Sequence, residues 1–239
     1  MRAYIEFGLR SFRRATTYRA ATLAGMATNF FFGLIRAMIF TAFYESARTT
    51  PEMPLEQAVS YVWLVQVVLG LPFWPFFSDT FIADIRSGAV AMQLIRPADY
   101  QGCWFSDSFA RLLQMLLMRG APIGLLAFAM GGMAPPPSWE IAGLFVLSVA
   151  AGMVLAVALA QFTGATAFWT LDSTGFSSLM AVVATFFSGM LVPIALWPRW
   201  LSAIAHWLPF QGLTDIPLSV YLGRYAGAEA LRYIGIQLA

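Results

Sequence analysis

From Ile141 to Phe168 the chain carries no charged residue, and no other stretch limits its fold as strongly. About 20 consecutive apolar residues let a helix cross the hydrocarbon layer of a bilayer. Inside that layer only helices and closed barrels satisfy every backbone polar group. Four more apolar blocks, 20–44, 58–82, 105–130 and 176–192, have the same character. Composition agrees, with 59% hydrophobic and 11% charged residues, where a soluble domain carries about a quarter charged. The expectation is an all-α integral membrane protein, residues 1–239 forming a single transmembrane domain of five complete spans.

The joining segments set its orientation. Tyr4, Ile5, Leu9 and Phe12 recur at helical spacing among arginines, which predicts an interfacial helix over 1–19 at the cytoplasmic membrane surface. The stretch lacks the apolar core of a signal peptide. Arg2, Arg10, Arg13, Arg14 and Arg19 precede the first span, and Arg86 and Arg96 lie between the second and third. The first outer loop has only Arg48, and the third–fourth loop has none. Positive residues collect on the cytoplasmic side, so the N-terminus is placed inside and 193–225 outside. All 14 basic residues are Arg, as a GC-rich coding bias gives, so the expected home is a bacterial inner membrane crossed several times. The final residues, 228–239, read as the start of a sixth span too short to cross.

Other chemistry is sparse. A net charge of +2 is too small to imply nucleic acid. Cys103 is the only cysteine and His206 the only histidine, so neither an internal disulfide nor a Cys/His metal site is expected. An intramembrane protease or lipid transferase would need a nucleophile–base pair or metal ligands facing one another, and this composition supplies them poorly. His206, beside Trp207, reads as an interfacial residue.

Several stretches have two readings. Within 84–99, Ile85, Ala89, Met92 and Ile95 form the apolar side of a short helix, flanked by Arg86 and Arg96 and ended by Pro97. Asp84 near its start suits the helix dipole. It is either a rigid lever for a partner's movement or an ordinary interfacial loop whose arginines hold lipid phosphate. In the first span Thr22, Asn29 and Arg36 share one face. A charge there either lies at a subunit interface or along a polar path through the membrane, or snorkels outward. The aromatic PFWPFF run with Asp79 either binds an aromatic cation or anchors the second span in lipid, and Pro72 and Pro75 bend that span. Ala151, Gly152, Ala156, Ala160 and Gly164 let helices pack closely. Asp172, Ser173 and Thr174 read as the cap of the fifth span.

The segment FFSGMLVPIALWPRWLSAIAHWLPF, 186–210, is the most distinctive. An apolar run breaks at Pro193 and Pro198, resumes as an amphipathic helix, and stops at Pro209. Trp197, Trp200, Leu201, Ile204 and Leu208 are placed on one side, with Trp207 nearby. Interfacial tryptophans and a broken backbone predict a re-entrant helical hairpin in the outer leaflet, the alternative being a loop that only touches the membrane.

With IRSGAVAMQLIRPADYQ (85–101) and FWTLDSTGF (168–176), that segment resembles the permease subunit of ABC-2 type exporters, in particular the small permeases grouped with viologen and antibiotic exporters. The resemblance covers nearly the whole chain. It implies a six-span permease exporting a small amphipathic or cationic compound, with no enzymatic activity of its own. No Walker motif occurs, so ATP and Mg belong to partner ABC ATPase subunits and the chain itself needs no cofactor. A second permease, identical or a sister chain, is implied, with the heterodimer preferred. Asp84, Arg86, Gly88, Leu94, Arg96 and Pro97 then correspond to an ATPase-coupling helix. Phe187, Ser188, Gly189, Pro193, Pro198, Trp200 and Pro209 correspond to an outer gate, and Asn29 and Arg36 to a path or dimer interface. The rival reading is a structural membrane subunit with no path of its own.

Overall fold

Apolar sequence without water around it must close its hydrogen bonds within each segment, and every regular element among the described residues is helical. The computed structural model describes residues 2–16, 19–46, 52–72, 79–95, 99–170 and 173–238. The chain opens with α1 (Arg2–Ala15) and α2 (Arg19–Ser46). Next come α3 (Leu55–Val68) and the short α4 (Asp79–Arg86) and α5 (Ala89–Leu94). One long rod follows: α6 (Tyr100–Met115), a π turn (Leu116–Gly120) and α7 (Ala121–Ala129). A second rod is α8 (Trp139–Ala165) continued by α9 (Ala167–Thr170), then α10 (Thr174–Phe187). The C-terminal part contains α11 (Arg199–Trp207), α12 (Asp215–Tyr221) and α13 (Gly227–Leu238). Short 3-10 turns occupy Ile194–Leu196 and Pro209–Leu213.

Three of these helices are long and apolar enough to cross a membrane: Ala20–Ser46, Tyr100–Ala129 and Trp139–Thr170. The fifth expected span differs from 176–192: α10 has 14 residues, about 21 Å at 1.5 Å per residue, short of the ~30 Å hydrocarbon layer. Of the second, 58–82, α3 describes the first part and residues 73–78 lie outside the described residues. For α10 the cause is Gly189, whose φ of 78° ends the helix in the left-handed region. Helical backbone resumes at 70–72 after α3. Pro72 is buried there; Phe73–Phe77, the rest of PFWPFF with Pro75, and the Asp79 side chain lie outside the described residues.

The core gathers around α3 and α8. Tyr61, Leu64, Val65 and Val68 of α3 are buried with Met153, Ala156 and Val157 of α8 and Leu213 and Leu218 near α12. The small residues of the fourth span do the packing expected of them: Ala151, Gly152, Ala156, Ala160 and Gly164 are all buried. A Cβ on Gly152 would lie 3.0 Å from the Gly212 carbonyl, so the backbones nearly touch. Every residue of α12 is buried. By contrast α2 exposes Leu23, Phe31, Phe32, Met38, Ile39 and Phe43.

Helix α1 does not lie alone at a surface. Its Tyr4 hydroxyl accepts the Asp99 N–H at 3.2 Å. Gly8 faces the Ser106 carbonyl, and the Ser11 hydroxyl donates to Asp107. One face of α1 is therefore docked along α6, leaving Ile5 and Leu9 exposed on another. Ser173 occupies the N-cap position of α10 without a side-chain capping bond; Asp172, the acid expected in that cap, lies outside the described residues.

Candidate functional site

Two regions at opposite ends of α8 bring the predicted site residues together. At the α1 end, α4 and α5 replace the single helix expected over 84–97. Gly88 breaks it, with φ 73° and open space where a Cβ would be. The turn rotates α5 relative to α4, so the expected common apolar side divides. Ile85 is buried with Trp104, Ala160 and Ala167, backed by Ile82 and Val90. Met92, Leu94 and Ile95 point outward, exposed to 65%, 63% and 75%. Asp84 Oδ2 accepts the Tyr100 hydroxyl at 3.2 Å, which ties α4 to the foot of α6. Gln101 and Gln161 bond each other, joining α6 to α8 at the same level. Arg86 ends α4. Arg96 and Pro97 lie outside the described residues. A bare apolar ridge is thus mounted on a base locked to both long rods.

At the other end, Phe187 closes α10 and Ser188–Gly189 turn the chain toward Pro193. Phe186 and Phe187 enclose Trp197, with ring centroids 5.0 and 6.1 Å away. Pro198 and Pro209 precede or begin the next helical turns. The face expected on α11 is covered unevenly: Ala205 is fully buried, Leu201 and Leu208 are partly covered, and Trp200, Ile204 and Trp207 are exposed. Successive residues of a helix turn by about 100°, so Leu201, Ile204 and Leu208 still share one arc, with Ala205 at its buried edge and Trp200 and Trp207 at its open edge. His206 is exposed, its Nδ1 against the Ser202 carbonyl.

The turn itself is densely bonded. Tyr61 of α3 places its hydroxyl 3.0 Å from the Gly189 carbonyl and 3.0 Å from Asp215 Oδ1. The same Oδ1 accepts the Ile194 N–H at 3.3 Å. The Asp215 N–H donates to the Ser188 carbonyl at 3.0 Å. Arg36 reaches across from α2 and donates to the Met190 carbonyl at 3.2 Å. Asn29, on the same stripe, accepts from Arg119 at 3.0 Å, and Arg119 also donates to the Gly25 carbonyl at 3.0 Å. Asn29 and Arg36 are therefore engaged within this chain, with partners on different elements.

Of Asp215, Tyr61 and Arg119, only the last is signalled by sequence pattern. Asp215 stands in LTDIPL, which reads as a polar turn, and Tyr61 as one aromatic among many. Arg119 interrupts an apolar block, the one signal of the three that spacing supplies, since a charge inside a span calls for a partner. On the outside of α2 an open groove of about 410 Å³ runs past Leu34, Met38, Thr41, Val59, Trp63 and Met130.

The family model described as ABC-2 family transporter protein matches residues 30–239. The chain belongs to this family. No curated protein and no solved structure matches it. As an ABC-2 family member it is a multi-pass membrane component of a transport system. Members of the family work with ABC ATPase subunits. Within that frame the exposed ridge of α5 and the bonded turn at 188–194 are the two features of the ABC-2 chain to be explained.

Proposed function

We propose that this chain is the membrane-spanning permease subunit of an ABC exporter in a bacterial inner membrane, its N-terminus cytoplasmic. It forms the translocation path for a small amphipathic or cationic compound. ATP and Mg are handled by separate ATPase subunits, and a second permease, preferably a sister chain, completes the path along the exposed side of α2. Segment 84–97 is the lever that receives the ATPase movement. The 187–209 segment is the outer gate.

The observation that carries this reading is the Met92–Leu94–Ile95 ridge. Apolar side chains that exposed on a helix with no buried residue have no role in the fold of this chain. They suit burial in a partner, and their base transmits a push because Ile85 and Asp84 fasten it to α6 and α8. An interfacial loop would bury the same side chains in lipid; dependence of ATPase binding on them is what separates the lever from it. The test is to replace Leu94 by Glu and Ile95 by Glu in the complex expressed with its ATPase. Co-purification of the ATPase is expected to be lost while the permease keeps its melting temperature. Retention of the ATPase with full substrate-stimulated hydrolysis rejects the lever.

A further inference from the structure

The turn between α10 and the first 3-10 segment is held from three directions by side chains far apart in sequence. From α2 comes Arg36, on the Met190 carbonyl. From α3 comes Tyr61. From α12 comes Asp215, which takes the Ile194 N–H with its carboxylate and the Ser188 carbonyl with its own N–H. The carboxylate is buried, and the partners found for it are hydroxyls and an amide: Tyr61 on one oxygen and Ser219 at 3.5 Å on the other. A buried carboxylate with such partners is costly to maintain unless the geometry repays it.

Tyr61 has one hydroxyl proton and faces two acceptors at the same distance, 3.0 Å. Donation to Asp215 fastens α3 to α12. Donation to the Gly189 carbonyl fastens α3 to the turn. The turn approaches this hydroxyl so closely that only glycine fits: a Cβ on residue 189 would lie 2.8 Å from the Tyr61 oxygen and 3.1 Å from Asp215. Release of the turn therefore has an alternative partner waiting for the one donor, which is how a bonded cluster acquires two arrangements.

We propose that Tyr61, Asp215 and Arg36 form a latch that sets the closed state of the 188–194 turn, and that opening of the gate requires the turn to leave them. The inference rests on the gate assigned to 187–209 above. The three are positioning residues, acting on backbone groups of the turn and not on the transported compound. Gln211 and Thr214, next along the chain, each bury a polar atom with no hydrogen-bond partner, Oε1 and Oγ1. Unsatisfied groups of that kind lower the cost of leaving the closed arrangement.

The test uses the full chain carrying Cys103→Ser and Met190→Cys, in membrane vesicles of the native host. Met190 is 4% exposed in the closed turn, and substitution leaves its carbonyl in place for Arg36. The rate at which a membrane-impermeant maleimide modifies the introduced thiol reads the opening. Tyr61→Phe and Asp215→Ala are each expected to speed labelling about tenfold, the factor that loss of one hydrogen bond to a charged group gives. Asp215→Asn, which keeps an acceptor for Tyr61 and Ile194, is expected to label closer to the parent. Melting temperature and helix content, measured alongside, separate a released turn from a damaged fold; Arg36→Gln gives an independent arm if an Asp215 variant fails to accumulate. Parental labelling rates in Tyr61→Phe, Asp215→Ala and Arg36→Gln overturn the latch. Added ATP is expected to speed labelling of the chain that carries no latch substitution. If the variants respond and ATP does not, the latch stands and the ATP-driven exporter reading fails. If the reagent reaches the introduced thiol only from inside, the latch again stands while the outer placement fails.

Discussion

At the scale of single residues, several polar side chains of this chain reach a backbone carbonyl or a side chain on another element. Arg119 is the clearest case. Its guanidinium spans the gap to α2, bonding the Gly25 carbonyl and Asn29, and a Cβ on Gly25 would meet it at 2.6 Å. Arg119→Leu leaves the buried Asn29 amide oxygen unmatched, a cost of about 1–3 kcal/mol. The expected outcome is a lower denaturation midpoint in detergent, with Arg119→Lys intermediate because an ammonium is a point charge without the planar fork. Gly189 is a second case. Alanine there meets both the Tyr61 hydroxyl and a φ of 78°, and left-handed backbone costs a non-glycine residue about 1–2 kcal/mol. Gly189→Ala is expected to lower the thermal midpoint more than Gly88→Ala, which has the same strain with open space around it. Equal shifts would mean that the Tyr61 contact contributes nothing.

At the scale of elements, the rods and the short helices were not equally readable. The runs 105–130 and 141–168 announce themselves because each exceeds the length a span needs and is helical throughout, with only the local π turn in the first. The run at 176–192 looks alike by composition, yet its helix ends at Phe187. Hydropathy does not register a single glycine at positive φ, and Gly189 decides where α10 stops. Gly88 acts in the same way on 84–97: periodicity puts Ile85 and Met92 on one side, and the turn sends them to opposite fates. Partners remote in sequence, such as Arg36 with Met190, leave no periodic trace at all. The π turn shows what close approach does to an element. A Cβ on Gly120 would lie 2.2 Å from the Val67 carbonyl of α3, so the α6–α7 rod and α3 touch backbone to backbone. Gly120→Ala is expected to push α3 away from that rod. Disulfide formation between cysteines introduced at Val67 and Gly124, where a Cβ on Gly124 would lie 3.0 Å from the Val67 side chain, should be efficient in the parent and fall several-fold with Gly120→Ala. An unchanged yield would place the constraint elsewhere.

At the scale of the whole molecule, the two long rods carry the relation to the membrane. Trp139–Thr170 has 32 residues, about 48 Å of helix, against about 40–45 Å for a bilayer with its headgroups. Its ends carry Trp139 and Trp169, exposed to 94% and 81%, and exposed tryptophans belong in the two headgroup zones. The rod therefore has just the length to bring one tryptophan to each side, and the arginine distribution predicts which: Trp169 lies at the α4 end with Arg86, and Trp139 follows the loop that has no arginine. A cysteine at Trp139 in a Cys103→Ser background is expected to react with impermeant maleimide added outside intact cells. A cysteine at Trp169 is expected to react only after permeabilisation. The reverse pattern inverts the molecule and moves the α5 ridge away from any cytoplasmic ATPase. Reaction of both from outside means that Trp139–Thr170 does not cross, and the close packing of α8 against α12 would then have to be explained by a fold held outside the bilayer.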